Sequence, residues 1–244
     1  MGFLGEFILT APKIDPVGQE TLERLSEIDV YSKWQVERLK PFLGKRVLEI
    51  GSGIGNISSH LLDAERLVLT DVNPNYLSTL NKRFQQKDNV RIGPFDLTTG
   101  EPSYKEEKLD SIVSLNVLEH IEDDVFALKK LHDMLEPKGK LVLLVPAHMW
   151  LYGSLDKELG HFRRYTKKEL SDKLTLTDFE VEKIFFFNRF AILGWWWNAV
   201  IRKKKILPEG QLSIFGKLVP LLSKLDSLIP FPLGISVIAV AQKK

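Results

Sequence analysis

The sequence predicts an α/β fold, a mostly parallel sheet with helices on both faces, and three observations predict it. Short apolar runs, RVLEI (46–50), RLVLT (66–70), LDSIVSL (109–115) and KLVLLVP (140–146), alternate with segments whose apolar residues recur at three- and four-residue steps. Most of these runs are near-continuously apolar, as strands buried on both faces require. The connections are short, and a glycine loop follows the first run directly.

Each element has its own signal. Leu22, Leu25 and Ile28, then Val36 and Leu39, suit two short helices that Pro41 and Gly44 end. RVLEI is the first strand, Ile54 to Leu62 carries helix-like spacing, and the second strand ends at Asp71. Asn73 caps the next helix and Pro74 occupies its first position, where no backbone donor is needed. That helix runs to about Phe84, with a third strand near Asn89 to Ile92 and a fourth at Leu109 to Leu115. Val125, Leu128, Leu131 and Leu135 line one face of a helix whose first turn holds Glu122, Asp123 and Asp124, where acids favour the dipole. Pro137 and Gly139 close it before KLVLLVP. Thr166 to Leu176 reads as a helix, FEVEKIFFF (179–187) as a strand and ISVIAVAQ (235–242) as the last strand. Ile206 to Leu233 shows no single period. One domain results: N-terminal helices in 1–44, a core in 45–187, an insertion in 188–234 and a final strand in 235–244.

Composition narrows the function. Of 244 residues, 44% are hydrophobic and 27% charged, with a net charge of +2, so no field draws the chain to nucleic acid. Cysteine is absent, which excludes disulfides, thiolate metal sites and a cysteine nucleophile. The start, MGFLGEFILTAPKID, lacks the pattern of a secretory leader. No run reaches the roughly 18 apolar residues of a spanning helix. Ile184 to Ile201 comes nearest and is broken by Asn188, Arg189 and Asn198. A cytoplasmic location is expected.

In a parallel α/β sheet, ligands bind beyond the carboxyl ends of the strands, which singles out EIGSGIG, residues 49–55. Gly51, Gly53 and Gly55 permit a sharp turn and close approach to a ligand. A Walker loop needs Lys followed by Ser or Thr after the last glycine, and Asn56 and Ile57 stand there instead. A dinucleotide loop wants Gly or Ala at Asn56, although Asp71 supplies its acid twenty residues after Gly51. The third reading is GxGxG preceded by the acid Glu49, suited to a cofactor with an amino-acid end and no phosphate. A tight turn with no ligand is the plain alternative.

VLEIGSGIG resembles the first motif of class I S-adenosylmethionine methyltransferases, and the likeness extends from about Tyr31 to Lys244. The resemblance implies a Rossmann-like, seven-stranded, mostly parallel sheet whose last strand returns antiparallel, with 188–234 as a cap. It implies that Glu49, Ser52 and the Gly51 to Gly55 backbone lie along the methionine part of the cofactor. Asp71, with Val72, would take the ribose hydroxyls, and Asp96, with Leu97, the adenine amino group. Asn116, Val117 and Leu118, in SLNVLEHIEDD, would border the cofactor, with Glu119 and His120 facing the reaction chamber or the next helix. For His120 a hydrogen-bonded place at a helix start is the competing reading; a base is the other, since imidazole titrates near neutral pH.

Beyond the fifth strand, PAHMWLYGSLDKELGHFRRYTKKEL (146–170) gathers His148, Tyr152, Asp156, His161, Arg163, Arg164 and Tyr165. These read as substrate-binding residues, against the alternative of a lid that uses them in packing and ion pairs. LYGSLD and GHFRRYT resemble a subgroup of bacterial methyltransferases associated with glycosyl transfer and cell-surface sugars, which implies a small-molecule or glycan- or lipid-linked acceptor. For a hydroxyl acceptor His161 is the first candidate base and His120 the second, while Arg163 or Arg164 would bind an anionic group. No metal is implied, because the histidines lack a pattern such as HExxH. Trp195 to Trp197 beside Arg202 to Lys205 pairs aromatic anchors with a basic patch. The preferred reading there is a cap or dimer contact with solvated lysines; contact of 195–205 with the inner membrane face is the alternative. A nicotinamide-dependent oxidoreductase and a non-catalytic S-adenosylmethionine-binding protein are the rival classes.

Overall fold

The computed structural model describes residues 16–228 and 232–244; the expectation that the chain starts without a secretory leader lies outside them. Seven strands form one sheet in the order β3-β2-β1-β4-β5-β7-β6: β1 (Arg46–Ile50), β2 (Arg66–Asp71), β3 (Val90–Pro94), β4 (Leu109–Leu115), β5 (Leu135–Pro146), β6 (Phe179–Phe187) and β7 (Ser236–Lys243). The first five pair parallel, and β7 runs antiparallel between β5 and β6. The expected Rossmann-like α/β architecture with an antiparallel last strand is the one observed. Because β1 lies between β2 and β4, the chain reverses its winding direction there. A crevice opens at such a switch point beyond the carboxyl ends of the strands.

Strand alternation divides the core into two layers. Leu48, Ile50, Val68 and Ile112 pack with Leu128 and Leu131 of α4 (Asp124–Met134) and with Leu170 and Leu174 of α6 (Lys167–Leu176). Val47, Leu67 and Leu69 face the other way, onto Trp34 and Leu39 of α2 (Asp29–Leu39) and Leu80 of α3 (Pro74–Phe84). The predicted cap is present, with Asn73 Oδ1 accepting from the Asn75 N–H at 3.0 Å, and at the start of α6 Thr166 forms a reciprocal box with Glu169.

Two local expectations are corrected. Residues 54–62 form no α-helix but a series of turns with one 3-10 turn, Ser58–His60. The serines there spend their hydroxyls on other partners, Ser58 on Glu49 and Ser59 on the Asn56 carbonyl, which competes with helix formation. The aperiodic stretch 206–233 contains a 20-residue helix, α8 (Glu209–Leu228), with Pro220 inside it. Its period is hidden because both faces are apolar. Phe215 and Val219 join the core, whereas Ile214, Leu218, Leu221 and Leu228 are exposed on another side.

The insertion 188–234 therefore does two different things. Helix α8 lies along the body, with Gly216 close enough to Ile28 that a Cβ would overlap its side chain. The preceding piece, α7 (Ala191–Trp195) continuing into a π-turn at Trp196–Ile201, stands beside α5 (Ser154–Glu158). Trp195 Nε1 donates to the Leu151 carbonyl at 3.1 Å and Ser154 Oγ to the Ala199 carbonyl at 3.1 Å. Among the described residues no helix is long and apolar enough to cross a membrane.

Candidate active site

The glycine loop leaves β1 at the switch point, and Gly51, Gly53 and Gly55 have φ of +69°, +54° and +87°. Side chains at such angles are strained, and here they would also collide. A Cβ on Gly51 would overlap Val117 Cγ2, one on Gly53 would come 2.9 Å from Leu22 of α1 (Pro16–Ser26), and one on Gly55 would come 2.6 Å from the Phe84 ring. The loop is held by a Ser52 N–H bond to the Thr70 carbonyl at 2.8 Å and a Gly55 N–H bond to the Ser52 carbonyl at 2.9 Å. Asn56, the residue that breaks the dinucleotide pattern, donates through Nδ2 to the Leu22 carbonyl at 3.0 Å. It ties the first helix onto the loop.

Acids stand at or just past the ends of three successive strands. Glu49 shares the face of Val47, is buried, and accepts from Ser58 Oγ at 2.6 Å. Burial pushes its pKa up to about 7 against the opposing hydrogen bonds of Ser58 and Ser52. Between about pH 4.5 and 7 the native state thus holds a proton that the unfolded chain has released, and Glu49 makes stability fall as pH rises through that window. Glu49→Gln is expected to gain on the order of 3 kcal/mol relative to the parent between pH 5 and pH 8 in denaturant titrations. An offset equal at both pH values would refute this.

Asp71 uses both oxygens: Oδ2 accepts from the Gly53 N–H and Oδ1 from the Asn73 N–H, each at 2.9 Å. Burial raises its pKa, and these backbone bonds oppose the rise. Val72 beside it is exposed. Asp96 is half-buried, with Oδ1 accepting from the N–H of Thr98 at 2.8 Å, while the Leu97 side chain is buried in the core. Leu97 thus offers the crevice its backbone alone. Asn116, exposed and left-handed at φ +53°, and Val117 close the crevice from the β4 side.

The segment beyond β5 folds back over the β4 end. The Phe162 N–H donates to the Glu119 carbonyl at 2.8 Å, and Tyr165 bridges Ala147 in parallel. Asp156 is the hub: it is buried, and Oδ1 lies 2.9 Å from His161 Nδ1 and 2.7 Å from Arg164 Nε. Burial works against its charge, yet His161 and Arg164 hold its pKa below the ordinary value. His161 Nε2 points toward Glu119 Oε1 at 3.9 Å, and the His120 and His161 rings meet edge to face at 4.7 Å. Burial, with His161 second, pushes His120 down to about 4, so it is neutral at pH 7. Glu119 is wholly buried and pushed up to about 8 by that burial.

The structure thus brings together the two histidines expected as bases, with Asp156 bonded to one nitrogen of His161 and the Glu119 carboxyl 3.9 Å from the other. The expected acceptor contacts divide. His148, at φ +65°, stacks on Phe186 with centroids 4.9 Å apart. Tyr152 donates to the His161 carbonyl at 2.7 Å, and Arg163 pairs with Asp124 at 2.7 Å. Arg164 and Tyr165 spend their polar groups within the chain. Arg164 is buried between Asp156, the Ala147 carbonyl and the Trp195 ring, and Tyr165 is buried with its hydroxyl on Asp124 at 2.9 Å. Both hold the wall. Glu119 was legible as an acid beside His120, but Ser58, Leu22 and the hub role of Asp156 had no local signal.

A sheet wound about a switch point, a glycine loop that no side chain fits and acids at three strand ends come together at one edge of the fold. Residues 48–141 match the family model described as a methyltransferase domain. The squalestatin hexaketide synthase of a Phoma species is 30% identical over 128 residues, 47% of this chain and 5% of that protein. The chain thus spans about one-twentieth of that relative's length. The S-adenosylmethionine-dependent methyltransferase of Mesorhizobium loti shares the fold at TM-score 0.59 and 14% identity, over 88% of this chain and all of that one. The CMeT domain of the citrinin polyketide synthase shares it at TM-score 0.52 and 15% identity, over 80% and 45%.

Proposed function

We propose that this chain transfers the methyl group of S-adenosylmethionine to a hydroxyl of a small-molecule or glycan- or lipid-linked acceptor. The observation that carries the reading is the arc of Glu49, Asp71 and Asp96 around a loop where a Cβ at Gly51 would strike Val117. Glu49 and the loop backbone would hold the methionine end, Asp71 the ribose and Asp96 the adenine. The cofactor supplies a methyl group activated on a sulfonium, so the protein's main task is to position the acceptor in line. His161, oriented by Asp156, is the first candidate to take the hydroxyl proton, and His120 the second. His148, Tyr152 and Arg163 would border the space that the acceptor enters. Methyl-labelled cofactor incubated with fractionated small molecules, lipids and glycans tests the reading. Label should move into one fraction and be lost with His161→Ala. Binding of S-adenosylhomocysteine without transfer to any fraction would support a non-catalytic binder instead.

The acceptor class follows from the LYGSLD and GHFRRYT resemblance, and the surface agrees with a lipid-linked one. Leu193, Trp196, Trp197 and Ile201 are exposed beside Arg202 to Lys205, and the outer side of α8 adds Ile214, Leu218 and Leu221 with Lys217. Apolar anchors with a basic patch complement an anionic lipid surface at the inner membrane face. This favours the membrane reading over a solvated cap. Co-sedimentation with anionic vesicles, lost in neutral vesicles and in K203E/K204E/K205E, is the expected result. Equal recovery with both vesicle types would count against it.

A further inference from the structure

Glu119 is 0% exposed, and neither of its carboxylate oxygens has a hydrogen-bond partner. A buried carboxylate without partners is costly, and native folds avoid it unless something absent from the chain itself completes the site. The groups around Glu119 are donors of a particular kind. One ligand atom from each of Glu119, His120 and His161 lies within 4.8 Å of the other two. The 3.9 Å from His161 Nε2 to Glu119 Oε1 is too long for a hydrogen bond and leaves room between them. Asp156 Oδ1 sits 2.9 Å from His161 Nδ1; with the proton on Nδ1, the Nε2 lone pair turns toward Glu119. A carboxylate on the far nitrogen is how metal-binding histidines are commonly oriented. Asp156 is itself anchored by Arg164 Nε at 2.7 Å and the Gly153 N–H at 2.9 Å, so the orientation is built into the fold.

We propose that Glu119, His120 and His161 form a binding site for one divalent transition-metal ion, with zinc the best match. Two imidazoles and one carboxylate are a ligand set of catalytic zinc sites, which keep a fourth position open. Ligand atoms about 2.0–2.2 Å from a tetrahedral ion stand roughly 3.4 Å apart, so closing from within 4.8 Å asks for side-chain shifts of about an ångström. Ligands come from the turn after β4 and the loop after α5, next to the strand ends where the acceptor would enter. An ion there could bind the acceptor hydroxyl at its open position and favour loss of that proton to solvent, with His120 and His161 then serving as ligands in place of the base role considered for the metal-free chain. That consequence rests on the methyl-transfer reading, whereas ion binding does not.

The test is titration of the chelator-stripped full chain with zinc, manganese and magnesium chlorides by calorimetry, with thermal melts alongside. One zinc ion per chain, dissociation at micromolar concentration or tighter and a melting point raised by several degrees are expected. Glu119→Gln and His161→Gln should each weaken zinc binding at least tenfold, and His132→Gln, outside the cluster, should not. Each variant is checked by circular dichroism, and should one not fold, the other reads the same loss. Absence of stoichiometric binding of all three ions, or binding that both variants retain, would overturn the site. S-adenosylhomocysteine is titrated into the same samples. Its binding without zinc binding removes the metal site alone, and zinc binding without it removes the methyltransferase reading alone.

Discussion

Asp156→Ala is expected to cost about 3–5 kcal/mol of stability, the range for breaking a buried ion pair by removing one partner. In a chain of this length that lowers the melting point by ~6–20 °C. The cause lies in what remains. Arg164 would keep its charge in a site only 3% exposed, with the Ala147 carbonyl and the Trp195 ring as its other neighbours. The Gly153 N–H would lose its acceptor at the start of α5, and His161 the group that orients it. Asp156→Asn keeps the volume and an oxygen acceptor, so it should lose less. Denaturant titration of both variants settles the point: a loss under about 1 kcal/mol in Asp156→Ala would mean that Arg164 finds another partner and that the hub is not structural.

Asp71→Ala is expected to weaken binding of S-adenosylhomocysteine by about 100-fold or more, as read by calorimetry. A hydrogen bond to a charged group contributes about 1.5–3 kcal/mol, or roughly ten- to 150-fold each, and the proposed ribose contact would involve two hydroxyls. The side chain also accepts from Gly53 and Asn73, so its loss frees the loop as well as the ligand contact. Asp71→Asn, which retains one acceptor oxygen, should fall between. A melt distinguishes the two contributions: unchanged affinity in a folded Asp71→Ala chain would remove the ribose assignment.

Elements whose signal is local were legible. Strands β1, β2, β4, β6 and β7 were placed within one residue of their observed bounds, whereas β5, read as 140–146, begins at Leu135, which its apolar spacing had assigned to the preceding helix. Asn73–Pro74 marked a helix start through chemistry confined to two neighbouring residues. Segment 54–62 misled because apolar spacing alone does not reveal that Ser58 bonds to Glu49, nine residues earlier. Helix α8 was obscured for the opposite reason. Its sequence has apolar residues on a side that packs and on a side that does not, and burial alone separates them.

By itself the sequence determined the alternation of strands and helices, the glycine loop and the acids at the strand ends. These are properties of a few neighbouring residues, set by side-chain period, backbone freedom and turn chemistry. Only the tertiary structure decided that Asn56 ties α1 to the loop, that Arg164 is consumed by Asp156, and that Glu119, His120 and His161 converge. Those contacts join residues from separate segments, and whether a carboxylate is satisfied or left bare depends on packing that no linear spacing encodes.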